Sequence, residues 1–185
     1  MRLFYLVIFV LLGTGPALAK EKPPASYSIP LPPKPDYTSL QWLVGEWTGK
    51  TTNRGPQGEI RLSVEVALDG RFMILREELN FAATKASPAT RESWLGILSA
   101  NRSESGFHLR TFSSTGFITR HRVTVTGSEI HFYPEGGEQP PPGWLFRRSL
   151  QRSGETEIIE TVETAPPDKS FFDYFTAKLT QATKP

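Results

Sequence analysis

The stretch Leu40–Gly49, LQWLVGEWTG, decides the fold of this chain. Leu40 and Leu43 have the spacing of one face of a short helix, and Gly45 then interrupts that period. Trp47 follows, and from there the chain is an almost unbroken series of short segments in which apolar and polar residues alternate. The stretch therefore marks the end of a short helix and the first strand of a β domain.

The clearest strand runs from Ile60 to Leu68, where every second residue is apolar. This is the period of a strand that is buried on one face only. Asp69-Gly70 ends it with a hairpin signal. Nine similar segments, separated by turn residues, bring the total to about ten strands: Glu46–Thr52, Phe72–Phe81, Glu92–Ser99, Phe107–Ser113, Phe117–Thr126, Glu129–Tyr133, Trp144–Gln151, Glu155–Thr164 and Phe171–Gln181.

The connections between these segments are mostly short, which favours antiparallel neighbours in chain order. An open meander of this length would expose two long edges, and closure into a barrel removes them. A two-sheet sandwich needs longer crossovers, for which only Ala82–Thr90 and Pro134–Gly143 are long enough. We therefore predict an all-β domain over residues 36–185, a single antiparallel up-and-down β-barrel of about ten strands with a short N-terminal helix.

Residues 1–19 have the pattern of a signal peptide. Arg2 precedes the apolar run Leu3–Leu12, and Ala17 and Ala19 form the small-residue motif before a cleavage site. The apolar run is too short for a membrane-spanning helix, which needs about 20 residues. We therefore expect export without a stable membrane anchor after cleavage. The chain has no cysteine, which is typical of a bacterial periplasmic or extracellular protein rather than of a disulfide-rich secreted one.

Residues 20–35 form a Pro-rich segment that should be an extended, solvated spacer, because proline lacks the N–H that helices and sheets require. Its alternative use is as a polyproline ligand for a partner domain, and the sequence leaves the identity of any protein partner unknown. The formal net charge of the chain is +2. This balance, without a basic run, gives no indication of nucleic-acid binding.

Two motifs, Val44–Gly49 and Leu68–Phe72, together with the strand series behind the leader, resemble a bacterial family of secreted calycin-like domains of unknown function. The wider calycin group of lipocalins, fatty-acid-binding proteins and nitrobindin haem barrels is also similar. The resemblance spans Leu40–Ala182. It implies a cup-shaped barrel closed at one end by Gly45 and Trp47, with Lys178 as the candidate cation over the indole and the ligand entering at the other end.

Nitrobindin-like barrels hold haem through a histidine late in the chain. Here the last histidine is His131, and the last two strands offer only Tyr174 as an axial donor. No haem, and no other cofactor, is therefore expected.

The three histidines, His108, His121 and His131, fall on successive predicted strands. Three imidazoles can hold zinc. If Gly127-Ser128 is a two-residue turn, however, His131 lies on the opposite face of the sheet from His121. We therefore expect no metal site, and we expect His121 to be an inward polar anchor.

Several charged residues share a strand face with apolar ones. Buried charges are costly unless they are paired, so such residues either form internal ion pairs or face a wet lumen. They are Arg76 and Glu78, Arg148, Glu160, and Asp173. A two-residue turn at Ser153-Gly154 would also place Arg147 opposite Glu160. The candidate ligand-binding residues are His121, Arg110, Arg148 and Tyr174.

We predict an exported, non-enzymatic binding protein that holds a small apolar or amphipathic molecule in the barrel. The alternative is an envelope or secreted interaction module with a filled barrel. A third hypothesis is an enzyme with His121 as general base and Arg110 or Arg148 holding an anionic substrate. Because the chain contains no Gly-x-Ser-x-Gly, phosphate loop or thiol nucleophile, no catalytic residue is predicted.

Overall fold

The computed structural model describes residues 28–52, 55–85, 87–101 and 106–182. The predicted signal peptide and the first part of the Pro-rich spacer lie outside the described residues. The described part contains one 3₁₀ helix, Thr38–Leu43, and ten strands: β1 Gly45–Thr51, β2 Gly58–Ala67, β3 Phe72–Phe81, β4 Thr90–Ala100, β5 Phe107–Ser113, β6 Ile118–Thr126, β7 Glu129–Pro134, β8 Leu145–Arg152, β9 Glu157–Ala165 and β10 Phe172–Gln181. None of its helices is long and apolar enough to cross a membrane.

Each strand pairs in antiparallel fashion with its neighbours in chain order, and β1 pairs with β10 to close the barrel. This confirms the predicted up-and-down barrel of ten strands. The short helix is also present, although it is a 3₁₀ helix. We call the end where the even-numbered strands begin the upper rim, and the other end the lower rim.

The closing seam depends on a close approach of β1 to β10 at Gly49. A Cβ added to Gly49 would lie 1.9 Å from the backbone oxygen of Lys178 and 2.7 Å from a methyl carbon of Leu179. Only a residue without a side chain therefore fits at this point of the seam.

The lower half of the barrel is filled around Trp47. Its side chain is 1% exposed and packs in the same core as Leu40 and Leu43 of the 3₁₀ helix. The indole Nε1 donates a hydrogen bond to the carbonyl oxygen of Leu43 at 2.8 Å, so the buried N–H is satisfied. The helix and the first strand are thereby joined by both packing and a hydrogen bond.

The hairpin between β8 and β9 is longer than the sequence predicted. Arg152 pairs with Ile158, so the loop is not the two-residue turn Ser153-Gly154. The register places Arg147 opposite Glu163, and the predicted pairing of Arg147 with Glu160 is wrong. Arg147 and Glu163 form a bidentate ion pair with both N–O distances at 2.6 Å.

Two further facing predictions are corrected. On β3, Arg76 is exposed and Glu78 only half-buried, while Met73, Leu75 and Glu77 of the opposite parity are buried. On β10, the register shifts at Tyr174, so that Asp173 lies opposite Glu163 and Phe175 lies opposite Val162. This bulge separates the exposed Asp173 from the buried Phe175, although the two are only two positions apart.

Candidate functional site

The upper half of the barrel contains a cavity of about 220 Å³. Most of its wall is apolar, and the lining includes seven Phe, Tyr or Trp side chains: Trp94, Phe117, Phe132, Trp144, Phe146, Tyr174 and Phe175. Trp144 and Leu145, which also line it, are 41% and 47% exposed, so the cavity reaches the surface beside them. Such a concave, mainly apolar space with a few polar groups is typical of a small-molecule site.

Strand direction places this cavity at the upper rim. Its wall includes Ser113 and Pro134, where odd-numbered strands end, and Leu145, where an even-numbered strand begins. Trp47 is not part of the wall, and it lies near the start of β1 at the lower rim. The cavity therefore opens at the end of the barrel away from Trp47.

Arg148 projects from β8 into the barrel and joins two carboxyl groups from distant strands. Its Nη2 lies 2.7 Å from Oε2 of Glu77, and its Nε lies 3.0 Å from Oε1 of Glu160. Both glutamate side chains are fully buried, whereas the arginine side chain is 16% exposed. The guanidinium also lies over the Trp94 ring, 4.4 Å from its centroid, and the Trp94 indole N–H donates to the same oxygen of Glu77.

The electrostatics of this cluster favour a charged Arg148 and a protonated Glu160. Burial raises the pKa of Glu160 well above its ordinary value; Arg148 opposes the shift and the Glu77 carboxyl adds to it. Burial lowers the pKa of Arg148, but the two carboxyl groups raise it by more than burial lowers it. The net shift of the Arg148 pKa is therefore upward. The guanidinium thus stays charged while Glu160 holds its proton.

His121 also lines the cavity, as its alternation with apolar residues predicts. Burial, with the nearby Arg148 charge, lowers its pKa to about 4, although a hydrogen bond to the backbone of Phe146 acts in the opposite direction. The imidazole is therefore neutral at neutral pH. Its Nδ1 is buried and has no hydrogen-bond partner among the described residues. This environment makes His121 a poor proton acceptor.

The four candidate ligand-binding residues separate into two groups. His121, Arg148 and Tyr174 all line the cavity. Arg110 does not, because it lies between the buried Leu109 and the cavity-lining Thr111 and so points to the outer face. It pairs there with Glu138 at 3.1 Å. The prediction that Arg110 holds a ligand inside the barrel is therefore wrong.

At the lower rim, Lys178 also faces outward. It lies between Ala177 and Leu179, which are fully buried, and its Nζ pairs with Glu157 at 2.6 Å. Strand alternation thus takes its amine away from the indole of Trp47. The prediction that Lys178 places a cation over that ring is therefore wrong. Gly45 begins β1 in a positive-φ conformation (φ 141°) that favours glycine.

The histidine register is as the sequence predicted. Val125 pairs with Ile130, and Thr124 pairs with His131. His121 therefore faces the lumen, while His108 lies on the outer face, with its Nδ1 3.2 Å from Glu135. Among the described residues, no group of three or more His, Asp or Glu side chains could hold a metal ion.

Glu77, Trp94 and Glu92 belong to this site, although they were not predicted from the sequence. The available signal for Glu77 was its position in the alternation of Met73, Leu75 and Leu79, the apolar set that is buried. Glu92 and Trp94 lie two positions apart on β4 and both line the cavity. The sequence does not show which face of β4 is buried, because Leu95 and Ile97 on the outer face of the same strand are also apolar.

No family model matches this chain, and no curated protein matches it. Among solved structures, the chain is similar to the crystal structure of Rv2717c from M. tuberculosis, with a TM-score of 0.57 and 16% sequence identity. The match covers 80% of this chain and 97% of that chain. The likeness shows the fold alone, and it is consistent with a calycin-like barrel.

Proposed function

We propose that this protein is an exported, non-enzymatic binding protein that holds a small apolar or amphipathic molecule in the upper half of its barrel. The observation that carries the proposal is the cavity of about 220 Å³, whose apolar wall surrounds the polar groups of Arg148, His121 and Tyr174. The proposal that it is exported, to a bacterial periplasm or the medium, comes from the leader sequence over residues 1–19.

The unfilled space supports a carrier over an interaction module with a filled barrel. An apolar cavity of about 150 Å³ is enough to bind benzene, and this one is larger. The ion pairs at its inner end are internal to the protein, since Arg148 is held by Glu77 and Glu160. The apolar wall is therefore the part of the cavity that remains for a ligand.

Native mass spectrometry of the purified protein tests the proposal directly. We expect a bound small molecule that solvent extraction releases. In the variant Thr119→Trp the new side chain would occupy the cavity, because Thr119 lines its wall, and bound molecule should be lost. Thr180→Trp is the matched control, since Thr180 lies exposed on the outside of β10. A folded wild-type protein that neither retains nor takes up any apolar molecule would refute the proposal.

A further inference from the structure

The cationic side chains of the cavity wall are already paired within the protein. Arg147 makes a bidentate ion pair with Glu163, at 2.6 Å for both contacts. Arg148 is shared between Glu77 and Glu160. A ligand carboxylate would have to displace one of these internal carboxyl groups in order to reach a positive charge.

Glu92 is different, because it is a cavity-lining acid without an ion-pair partner among the described residues. It lies on β4 opposite the buried Leu79 and two positions before Trp94, so its side chain shares their lumenal face. Burial raises the pKa of Tyr174 on β10, and the charge of Glu92 adds to this shift. The carboxylate and the tyrosine therefore face the same space from two different strands.

The surrounding wall suits a cation. Aromatic ring faces attract ammonium groups, and this attraction strengthens when water is excluded. Phe117, Phe146 and Tyr174 line the same cavity as Glu92. Glu92 lines this wall without an ion-pair partner among the described residues, and a positively charged ligand group would supply that partner.

We propose that the polar end of the ligand is an ammonium group, held by Glu92 as counter-ion and by the aromatic wall, while its apolar part fills the cavity. The inference rests on the proposed function, and it adds the chemical class of the ligand. By size, the cavity accommodates a molecule somewhat larger than benzene, which a cavity of about 150 Å³ accepts. A short alkylammonium ion is therefore a suitable probe.

Three probes with the same alkyl chain separate the possibilities by isothermal titration calorimetry at neutral pH: octylammonium, 1-octanol and octanoate. We expect octylammonium to bind roughly tenfold more tightly than 1-octanol, and octanoate to bind most weakly. The isosteric variant Glu92→Gln should reduce the affinity for octylammonium to that for 1-octanol and leave the affinity for 1-octanol unchanged. Glu46→Gln is the matched control, because Glu46 is exposed on β1.

The outcomes distinguish this inference from the proposed function. If no probe binds to the folded protein, the proposed function and the ammonium site both fail. If the three probes bind equally, or if octanoate binds best, the binding function stands and the ammonium site is refuted. A Glu92→Gln variant that weakens all three probes alike would also refute it, since Glu92 would then support the wall without recognising charge.

Discussion

Glu77 and Arg148 lie 71 positions apart in the sequence and meet inside the barrel, with Oε2 and Nη2 2.7 Å apart. Glu160 approaches the same guanidinium from β9. Three strands that are not all neighbours in the sheet are thus connected through one side chain. Because both acids are buried completely, removal of the cation that they share is expected to be costly.

Removal of Arg148 is expected to be strongly destabilising. The variant Arg148→Met leaves Glu77 and Glu160 buried without their cation, which should lower the free energy of unfolding by about 3–5 kcal/mol. Urea denaturation at neutral pH measures this difference.

Arg147→Met is the matched control on the same strand. Its side chain is 39% exposed and its partner Glu163 is 25% exposed, so solvent screens the pair and the loss should be about 1 kcal/mol or less. Equal losses in the two variants would contradict the assignment of Arg148 to a buried cluster.

The raised pKa of Glu160 predicts a characteristic pH dependence. The folded protein keeps a proton on Glu160 that the unfolded chain releases above the ordinary pKa of 4.5. The folded state then binds more protons than the unfolded state, so this residue lowers stability progressively as the pH rises above that value. Glu160→Gln should therefore gain stability relative to wild type as the pH increases from about 4.5 to 8.

Glu163→Gln provides a contrast of opposite sign. The hydrogen bonds from Arg147 lower the pKa of Glu163, so its contribution is present above the ordinary pKa of 4.5 and is lost as the pH falls through the lowered value. Urea titrations over the acidic and neutral range would show the two trends. A constant difference between wild type and Glu160→Gln across this range would mean that Glu160 is ionised in the folded protein.

His121 is expected to make the fold sensitive to mild acid. Its pKa is lowered to about 4, from an ordinary value of 6.5, so the unfolded chain binds a proton at a pH where the folded protein does not. The stabilisation that comes from a neutral His121 is fully present above pH 6.5, the ordinary pKa of histidine. It declines as the pH falls from 6.5 towards 4. The total loss in the free energy of unfolding is on the order of 3 kcal/mol.

The variant His121→Phe should remove this decline, because phenylalanine does not titrate. His108→Phe is the control, since its side chain is 42% exposed on the outer face. Thermal or urea unfolding between about pH 4 and 7 measures the slope for each protein. An unchanged slope in His121→Phe would show that folding does not lower the pKa of His121.

The closing seam makes Gly49 intolerant of any side chain. Gly49→Ala would bring its Cβ within 1.9 Å of the Lys178 backbone oxygen, which can be relieved only by moving β1 away from β10. We expect a loss of about 1–3 kcal/mol or more. In Gly154→Ala the nearest atom to the new Cβ is Glu157 Cβ at 3.7 Å, so this control should unfold as wild type does in a thermal melt. A similar melt for Gly49→Ala would mean that the seam has room for a methyl group.

Much of the architecture could be predicted from the chain alone. Alternation in Ile60–Leu68 and the turn residues between segments are local properties, and they located all ten strands to within a few residues. The facing of His121 and His131 followed in the same way, because the turn between them has the two-residue length that the sequence predicted. Short connections then left the closed antiparallel barrel as the arrangement without exposed edges.

The set of side chains that line the cavity could not be predicted in this way. Alternation along a strand shows which residues share a face. It does not show which face is buried when both faces contain apolar residues, as on β3 and β4. Register depends on loop length, and a slip of one residue exchanges the two faces. The longer β8–β9 loop changed the partner of Arg147, and the bulge at Tyr174 changed the face on which Asp173 lies.

The sequence by itself thus determined the number, the order and the antiparallel pairing of the strands, because these depend on local pattern and connection length. Only the tertiary structure decided that Glu77, Arg148 and Glu160 meet, that Arg110 and Lys178 face solvent, and that Glu92 faces the cavity. These positions are set by barrel closure, which fixes the register of all ten strands together and so brings into contact side chains that are far apart along the chain.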